Sequence, residues 1–268
     1  MQTTAARSRI MSRYIDINAD MGEGWGAYDI GDDGAMLDVI STANLACGFH
    51  AGDPVIMSER CRQAKAKGVR IGAHPGYPDL WGFGRRDMAL SRPQIEDMLA
   101  YQIGALKGVA RLADTAITHV KVHGALAHYV ADTDAGAKGL ITAIKAIDPG
   151  LIVMVMAGTT LEAMAEDAGL RVAREIFADR AYEDTGRLMS RARPGAVIHN
   201  PAEAARTVTA MVCEQAIITA SGKRIPLKGI DSICTHGDSP GAVQIAQAVK
   251  AGLQQAGFEI RAFADTLG

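Results

Sequence analysis

Six segments of this chain set acids, histidines, a lysine or arginines beside short apolar runs: 14–24, 44–54, 71–86, 118–126, 174–186 and 233–240. Carboxylates and imidazoles at such places move protons or hold a divalent ion, an ammonium stabilises an oxyanion, and guanidinium groups grip carboxylate or phosphate. In the first segment Asp16, Asn18 and Asp20 alternate with Ile15, Ile17 and Ala19. A strand period of two puts the three polar side chains on one face. The loop after them, Gly22 to Gly26 with Glu23 and Trp25, has the composition of a ligand-binding turn. His50 shares parity with Asn44, and His74 repeats the arrangement one segment later. Arg85 and Arg86 follow, able to grip an anion as a pair. His119, Lys121 and His123 fall on one face, and a lysine between Val120 and Val122 needs a carboxylate, phosphate or carbonyl partner. Glu175 and Asp179 are in phase, with Arg180 and Tyr182 just past them. His236 and Asp238 precede a helix start.

Any one of these matches is weak, and each has a plain structural alternative: a hydrogen-bonded core histidine, a surface salt bridge, a buried strut. Their recurrence at equivalent places argues for one polar active site. Between metal-assisted hydrolysis, general acid/base hydrolysis and phosphoryl chemistry the pattern alone does not choose.

To gather six such segments, the chain needs strands that end at a common rim. Segments 14–19, 42–47, 70–73, 119–122, 151–156, 171–177 and 232–235 read as strands, several of them continuous apolar runs, as in a parallel sheet covered on both faces. Helices alternate with them. Asp53-Pro54, Ser91 with Gln94, Asp132, Thr160, Asn200-Pro201-Glu203 and Ser239-Pro240 mark their starts. This alternation means α/β with parallel strands. Polar groups after almost every strand favour a barrel over an open sheet, which concentrates them at a switch point. Segments 217–219 and 224–227 read as an inserted hairpin.

The 268 residues suit one barrel domain over 14–268, with 1–13 a loose extension that lacks the apolar stretch of an export signal. A net charge of -2 gives no reason to expect nucleic acid or an acidic membrane surface as partner, and no run is long enough to span a bilayer. Four scattered cysteines without a CxxC pair point to a reducing cytoplasm and away from a cysteine zinc site. GxxxxGK[ST], HExxH and a GxGxxG in the right context are missing.

Taken together, DINADMGEG, ANLACGFHAGDP, IGAHPGYPDLWGFGRR, KVHGAL, EIFADRAY and THGDSP resemble the LamB/YcsF family, the A subunits of prokaryotic ATP-dependent 5-oxoprolinases. The likeness runs from residue 16 to residue 240. It implies a seven-stranded TIM-like barrel of the glycoside hydrolase/deacetylase type. It also implies ring opening of 5-oxoproline to L-glutamate with subunits B and C, ATP being handled mainly by those partners. Two departures are visible: Ala19 where the family has cysteine, and Val122 with Ala127-His128 where it has proline and Tyr-Asn. On this reading Asp20 and His74 are base candidates, Lys121 clamps the developing oxyanion, and Glu175 completes the catalytic set. Asp16, Asn18, His50, Arg85, His123, Arg180, His236 and Asp238 bind substrate, and Asp20, His50 and His74 are candidate ligands of a divalent metal. Two other readings are a free-standing metal-dependent deacetylase or amidohydrolase, and a non-catalytic subunit that only delivers substrate.

Overall fold

The computed structural model describes residues 13–237 and 241–267, so Asp238 and most of the expected N-terminal extension lie outside the described residues. Among the described residues, ten strands alternate with eight helices. The first part of the order is β1 (Arg13–Met21), α1 (Asp33–Met36), β2 (Thr42–Ala46), α2 (Pro54–Ala66), β3 (Arg70–His74), α3 (Arg92–Leu112), β4 (Ile117–Val120), α4 (Gly124–Asp132), α5 (Asp134–Ile147), β5 (Ile152–Met156), α6 (Thr160–Asp167) and β6 (Val172–Phe177). Then come α7 (Pro201–Glu214), β7 (Ala216–Ile218), β8 (Arg224–Pro226), β9 (Ser232–His236), α8 (Ala242–Gln255) and β10 (Phe258–Ile260). Strands β1 to β6 and β9 pair in parallel, and β9 returns to β1 through Asp16↔Ser232 to Asp20↔His236, closing a seven-stranded barrel. β10 adds to the amino end of β1, and β7–β8 form the expected antiparallel hairpin.

Local chemistry sets most element ends. Asp53 Oδ1 accepts from the Val55 and Ile56 amides at the start of α2, and Asn200 Oδ1 accepts from the Glu203 amide at the start of α7. Gln94 Oε1 accepts from the Ser91 amide, half of a capping box. Several strand ends differ from the sequence expectation by a residue or two, and three boundaries differ for a visible local reason. Asp132 ends α4, and Thr133 caps the separate helix α5 by accepting from the Gly136 amide at 3.1 Å. Thr159, not Thr160, precedes α6, and its hydroxyl donates backward to the Met156 carbonyl. β4 stops at Val120, yet the Lys121 amide donates to the Ala73 carbonyl (2.9 Å) and that of His123 to Pro75 (2.8 Å). Those bonds carry the alternation on to His123, three residues beyond the strand.

The faces of β1 divide as the period of two requires. Ile15, Ile17, Ala19 and Met21 join the main core under the helices, while Asp16, Asn18 and Asp20 turn to the barrel axis. At the amino end the axis is apolar: Ile152, Met154 and Ala173 pack with Phe263 from the C-terminal 3₁₀ turn. Among the described residues, no helix is long and apolar enough to cross a membrane.

Candidate active site

Above that apolar plug the barrel axis is filled by a polar network. Asp16 is sealed at its base, accepting from Ser41 (2.7 Å), Thr42 (2.5 Å) and Ser232. Burial raises its carboxyl to about 6 in spite of these donors. Asn44 donates to Asn18 Oδ1 (2.8 Å) and Asp20 Oδ1 (2.9 Å), and accepts from His119 Nε2 (2.8 Å). Room for the His119 ring exists because residue 72 is glycine: a Cβ there would stand 2.2 Å from Nε2.

Lys121 is the hub of this network. Its ammonium donates to Asp20 Oδ1 (2.9 Å), Asn18 Oδ1 (3.2 Å) and Cys234 Sγ (3.0 Å), lies 2.8 Å from Glu175 Oε1, and sits 5.5 Å from the centre of the Phe177 ring. Burial would lower its pKa, but Asp20, Cys234 and Glu175 override that and raise it well above the ordinary range. Conversely, burial favours a neutral Asp20, but His74 and Lys121 hold that carboxyl well below its usual range. Burial keeps the Glu175 carboxyl raised, Lys121 only partly opposing. The hub is thus a charged ammonium facing one firm carboxylate and one that protonates more readily.

One side of the mouth is a cluster of three histidines and a glutamate. His74 Nδ1 is 2.8 Å from the Lys121 carbonyl, and His123 Nε2 is 2.8 Å from the Phe83 carbonyl. A carbonyl only accepts, so both nitrogens carry hydrogen. The other nitrogens, His74 Nε2 and His123 Nδ1, face each other at 3.0 Å, each with a lone pair when the rings are neutral. Burial holds His123 down to about 3. Glu23 Oε1 is 3.5 Å from His123 Nδ1, 3.9 Å from His74 Nε2 and 3.2 Å from His50 Nε2. His50 stacks flat on His123 at 3.8 Å, its Nδ1 buried without a hydrogen-bond partner among the described residues, which suits a proton on Nε2 directed at Glu23. Two facing lone pairs beside a buried carboxylate form a receptor for a cation. The triangle of His74 Nε2, His123 Nδ1 and Glu23 Oε1 has a centre about 2 Å from each corner, the length of a zinc–nitrogen or zinc–oxygen bond. The donor set therefore fits a divalent metal.

The opposite side is built from β6, β9 and the loop after β6. Asp179 accepts from His236 Nδ1 through both oxygens (2.8 and 3.0 Å), and His236 stacks on Phe177 at 5.5 Å. That carboxylate fixes the ring so that Nε2 is the nitrogen left for other partners. Between the two sides opens a cavity of about 640 Å³, lined among others by Asp20, His74, Lys121, His123, Arg180 and His236.

Of the residues singled out from sequence, Asp20, His74, Arg85, Lys121, His123, Arg180 and His236 line this cavity. Glu175 lies behind it, lining an adjoining cavity of about 310 Å³. Asp16 and Asn18 are fully sealed beneath, and His50 stands behind His123. The expected pairing of Arg85 with Arg86 is broken up: Arg86 is held by Asp79, while Arg85 crosses the Phe83 ring at 4.9 Å. The expected metal set of Asp20, His50 and His74 is regrouped. Asp20 Oδ2 stands 3.4 Å from His74 Nε2, but the donors converge in two other groups, Glu23 with His50, His74 and His123, and Asp20 with Cys234 and His236. Sequence reasoning misses Glu23 as a member of this donor cluster because strand alternation does not reach it. Gly22, at φ +66°, turns the chain after Met21 and swings Glu23 inward. Asp179, legible in sequence only as in phase with Glu175, acquires its role from a histidine 57 residues away.

The sequence matches the LamB/YcsF family over residues 15–268. The chain belongs to that family. It is 50% identical to a protein named as the A subunit of 5-oxoprolinase in Rhodopseudomonas palustris (strain BisB5), over 93% of this chain and 98% of that one. The protein of the same name from Gluconobacter oxydans (strain 621H) is 48% identical over 94% of this chain and 98% of its own length. Among solved structures, a lactam utilization protein from Thermus thermophilus superposes with a TM-score of 0.87 at 44% identity, covering 93% of this chain and 99% of that one. A T48 deacetylase, at 12% identity and a TM-score of 0.50, shares the fold alone.

Proposed function

We propose that this chain is the A subunit of an ATP-dependent 5-oxoprolinase, which with subunits B and C opens 5-oxo-L-proline to L-glutamate. The observation that carries the reading is one polar cavity combining a cation receptor, a charged lysine and an Asp-fixed histidine, in a chain about half identical to named A subunits along nearly their whole length. In the reaction, the oxygen of water bonds to the ring carbonyl carbon, the ring C–N bond breaks, and the nitrogen gains a proton. A lactam is a poor electrophile, and phosphorylation of its oxygen by ATP, with ADP as the leaving group, makes a better one; opening that activated ring with water gives an acyl phosphate, which a second water cleaves to glutamate and inorganic phosphate. On this reading ATP is handled mainly by the partners, no known phosphate-binding loop being legible in this sequence. The four free cysteines suit a reducing cytoplasm.

Within this chain, Lys121 offers its charge to the attacked carbonyl oxygen by exchanging one of its weaker contacts, Asn18 or Cys234, for that oxygen. Asp20, held as a carboxylate, is a weak base and serves to keep Lys121 and His74 in place. His236, oriented by Asp179, delivers the proton to the ring nitrogen. His74, His123 and Glu23, with His50 behind them, would hold a divalent cation. Such an ion acts as a Lewis acid that polarises a carbonyl or lowers the pKa of water.

Reconstitution tests the reading. With B and C, the chain should release glutamate in step with ATP hydrolysis, and alone it should turn over neither ATP nor 5-oxoproline. Robust ATP-dependent release by the isolated chain would overturn the division of labour. Metal content tests the cation site: about one Zn²⁺ or Mn²⁺ per chain, lost in Glu23→Gln and His123→Ala, with a chelator lowering the melting temperature of the unmutated protein only. The same donor triangle favours a second reading, a free-standing metal-dependent deacetylase, which predicts turnover of simple acylated amines without partners or ATP.

A further inference from the structure

Arg180 differs from Lys121, the other Lys or Arg among the described buried residues. It is 6% exposed, yet no carboxylate lies within ion-pair distance of it among the described residues. Its Nη2 donates to the Met189 carbonyl (2.5 Å) and its Nε to that of Ala196 (3.4 Å). The neighbouring acid, Asp179, is committed to His236. Glu183, which also lines the cavity, is paired with Arg193. Arg191 lines the same cavity and stands close enough to Arg180, as does Arg85, to disfavour its charge. A guanidinium that keeps its charge while buried requires a counter-ion. Here two of its nitrogens are tied to loop carbonyls, and it borders an open cavity far larger than a five-membered lactam.

We propose, resting on the 5-oxoprolinase reading, that Arg180, with Arg191 near it on the cavity wall, is the receptor for the ligand's oxyanion. That group is either the ring carboxylate of the lactam acid or the phosphoryl group of its activated form. The loop carbonyls fix the plane of the Arg180 guanidinium before ligand arrives, and Arg191 adds to the field. The receptor lies beside His236, so an anchored carboxylate sets the ring nitrogen on the side of the Asp179–His236 pair. A lactam without a carboxylate lacks this anchor.

Equilibrium binding to the full chain tests the inference, with 5-oxoproline, 2-pyrrolidinone and inorganic phosphate as probes. The unmutated protein should hold 5-oxoproline roughly 10–100-fold more tightly than 2-pyrrolidinone, the worth of one charge-assisted contact. Arg180→Met should erase that preference without changing 2-pyrrolidinone binding, and Arg180→Lys should restore part of it. Arg191→Gln touches none of the loop carbonyls, so it provides a variant that folds; it should reduce the preference several-fold, more at low salt. Phosphate that displaces 5-oxoproline from the unmutated chain but not from Arg180→Met assigns the receptor to the phosphoryl group as well. Phosphate that fails to compete assigns it to the carboxylate alone. Equal binding of both lactams, or a preference that survives in Arg180→Met, overturns the inference. If neither lactam binds while the reconstituted complex still releases glutamate, the receptor falls and the functional reading stands. A complex that releases none removes the functional reading instead.

Discussion

The two faces of β1 are made by alternate residues of one strand, and they make opposite demands on the rest of the chain. Ile15, Ile17, Ala19 and Met21 face the helices, need no polar partners and bury apolar surface. Asp16, Asn18 and Asp20 face the axis, and each is held by hydrogen bonds to side chains from strands far off in sequence. The outward face supplies stability at roughly 25 cal/mol per Å² of apolar surface removed from water. The inward face costs stability unless every partner is in place. The contrast implies that the barrel is held together from outside so that its inside can be kept polar.

The largest effect should come from removing the hub of the inner face. Lys121→Met leaves Asp20 and Glu175 without their shared cation, and should cost about 3–5 kcal/mol in denaturant unfolding as well as abolishing reconstituted activity. A variant with unmutated stability but lost turnover would make Lys121 purely catalytic; one with near-normal turnover would remove it from the chemistry.

Next in size is Asp16. Its folded carboxyl titrates at about 6 against an ordinary 3.8, so the folded state binds the proton more tightly than the unfolded chain does. Such a group favours folding while protonated, and its contribution is lost as pH rises from about 4 to about 6, then stays lost. The loss is about 3 kcal/mol, at 1.36 kcal/mol per pKa unit. Asp16→Asn should therefore gain stability relative to the unmutated protein across that window, with a flat difference above it. Parallel pH-stability curves without that divergence would show that the hydroxyl donors already offset the burial.

The smallest effect belongs to the outer face. Ile17→Val should cost about 0.5–1.5 kcal/mol, independent of pH and with turnover unchanged. A pH-dependent cost, or a change in activity, would mean that the two faces are mechanically coupled through the strand.

What can be read from the sequence follows the same division. Periodicity and caps expose the seven strands and most helix starts, because these signals lie within a few residues of one another. The identities of His74, Lys121, His123 and His236 are readable for the same reason: each sits at the end of an apolar run. Their partners are not. Lys121 meets Asp20 across 101 residues and Cys234 across 113, and such pairings exist only once the barrel closes. Glu23 escapes because one left-handed glycine breaks the alternation, and the donor cluster with His50, His74 and His123 depends on it. Arg180 is legible as a cation past a strand end, but not as one without an acid.

The Phe263 plug has a further consequence. With Ile152, Met154 and Ala173 it stops the barrel axis at its amino end, so the cavity is a cul-de-sac. Among the described residues, no path to Lys121 runs along the axis from that end. A molecule that reaches Lys121 along the axis therefore does so from the carboxyl end of the strands and turns back within the barrel.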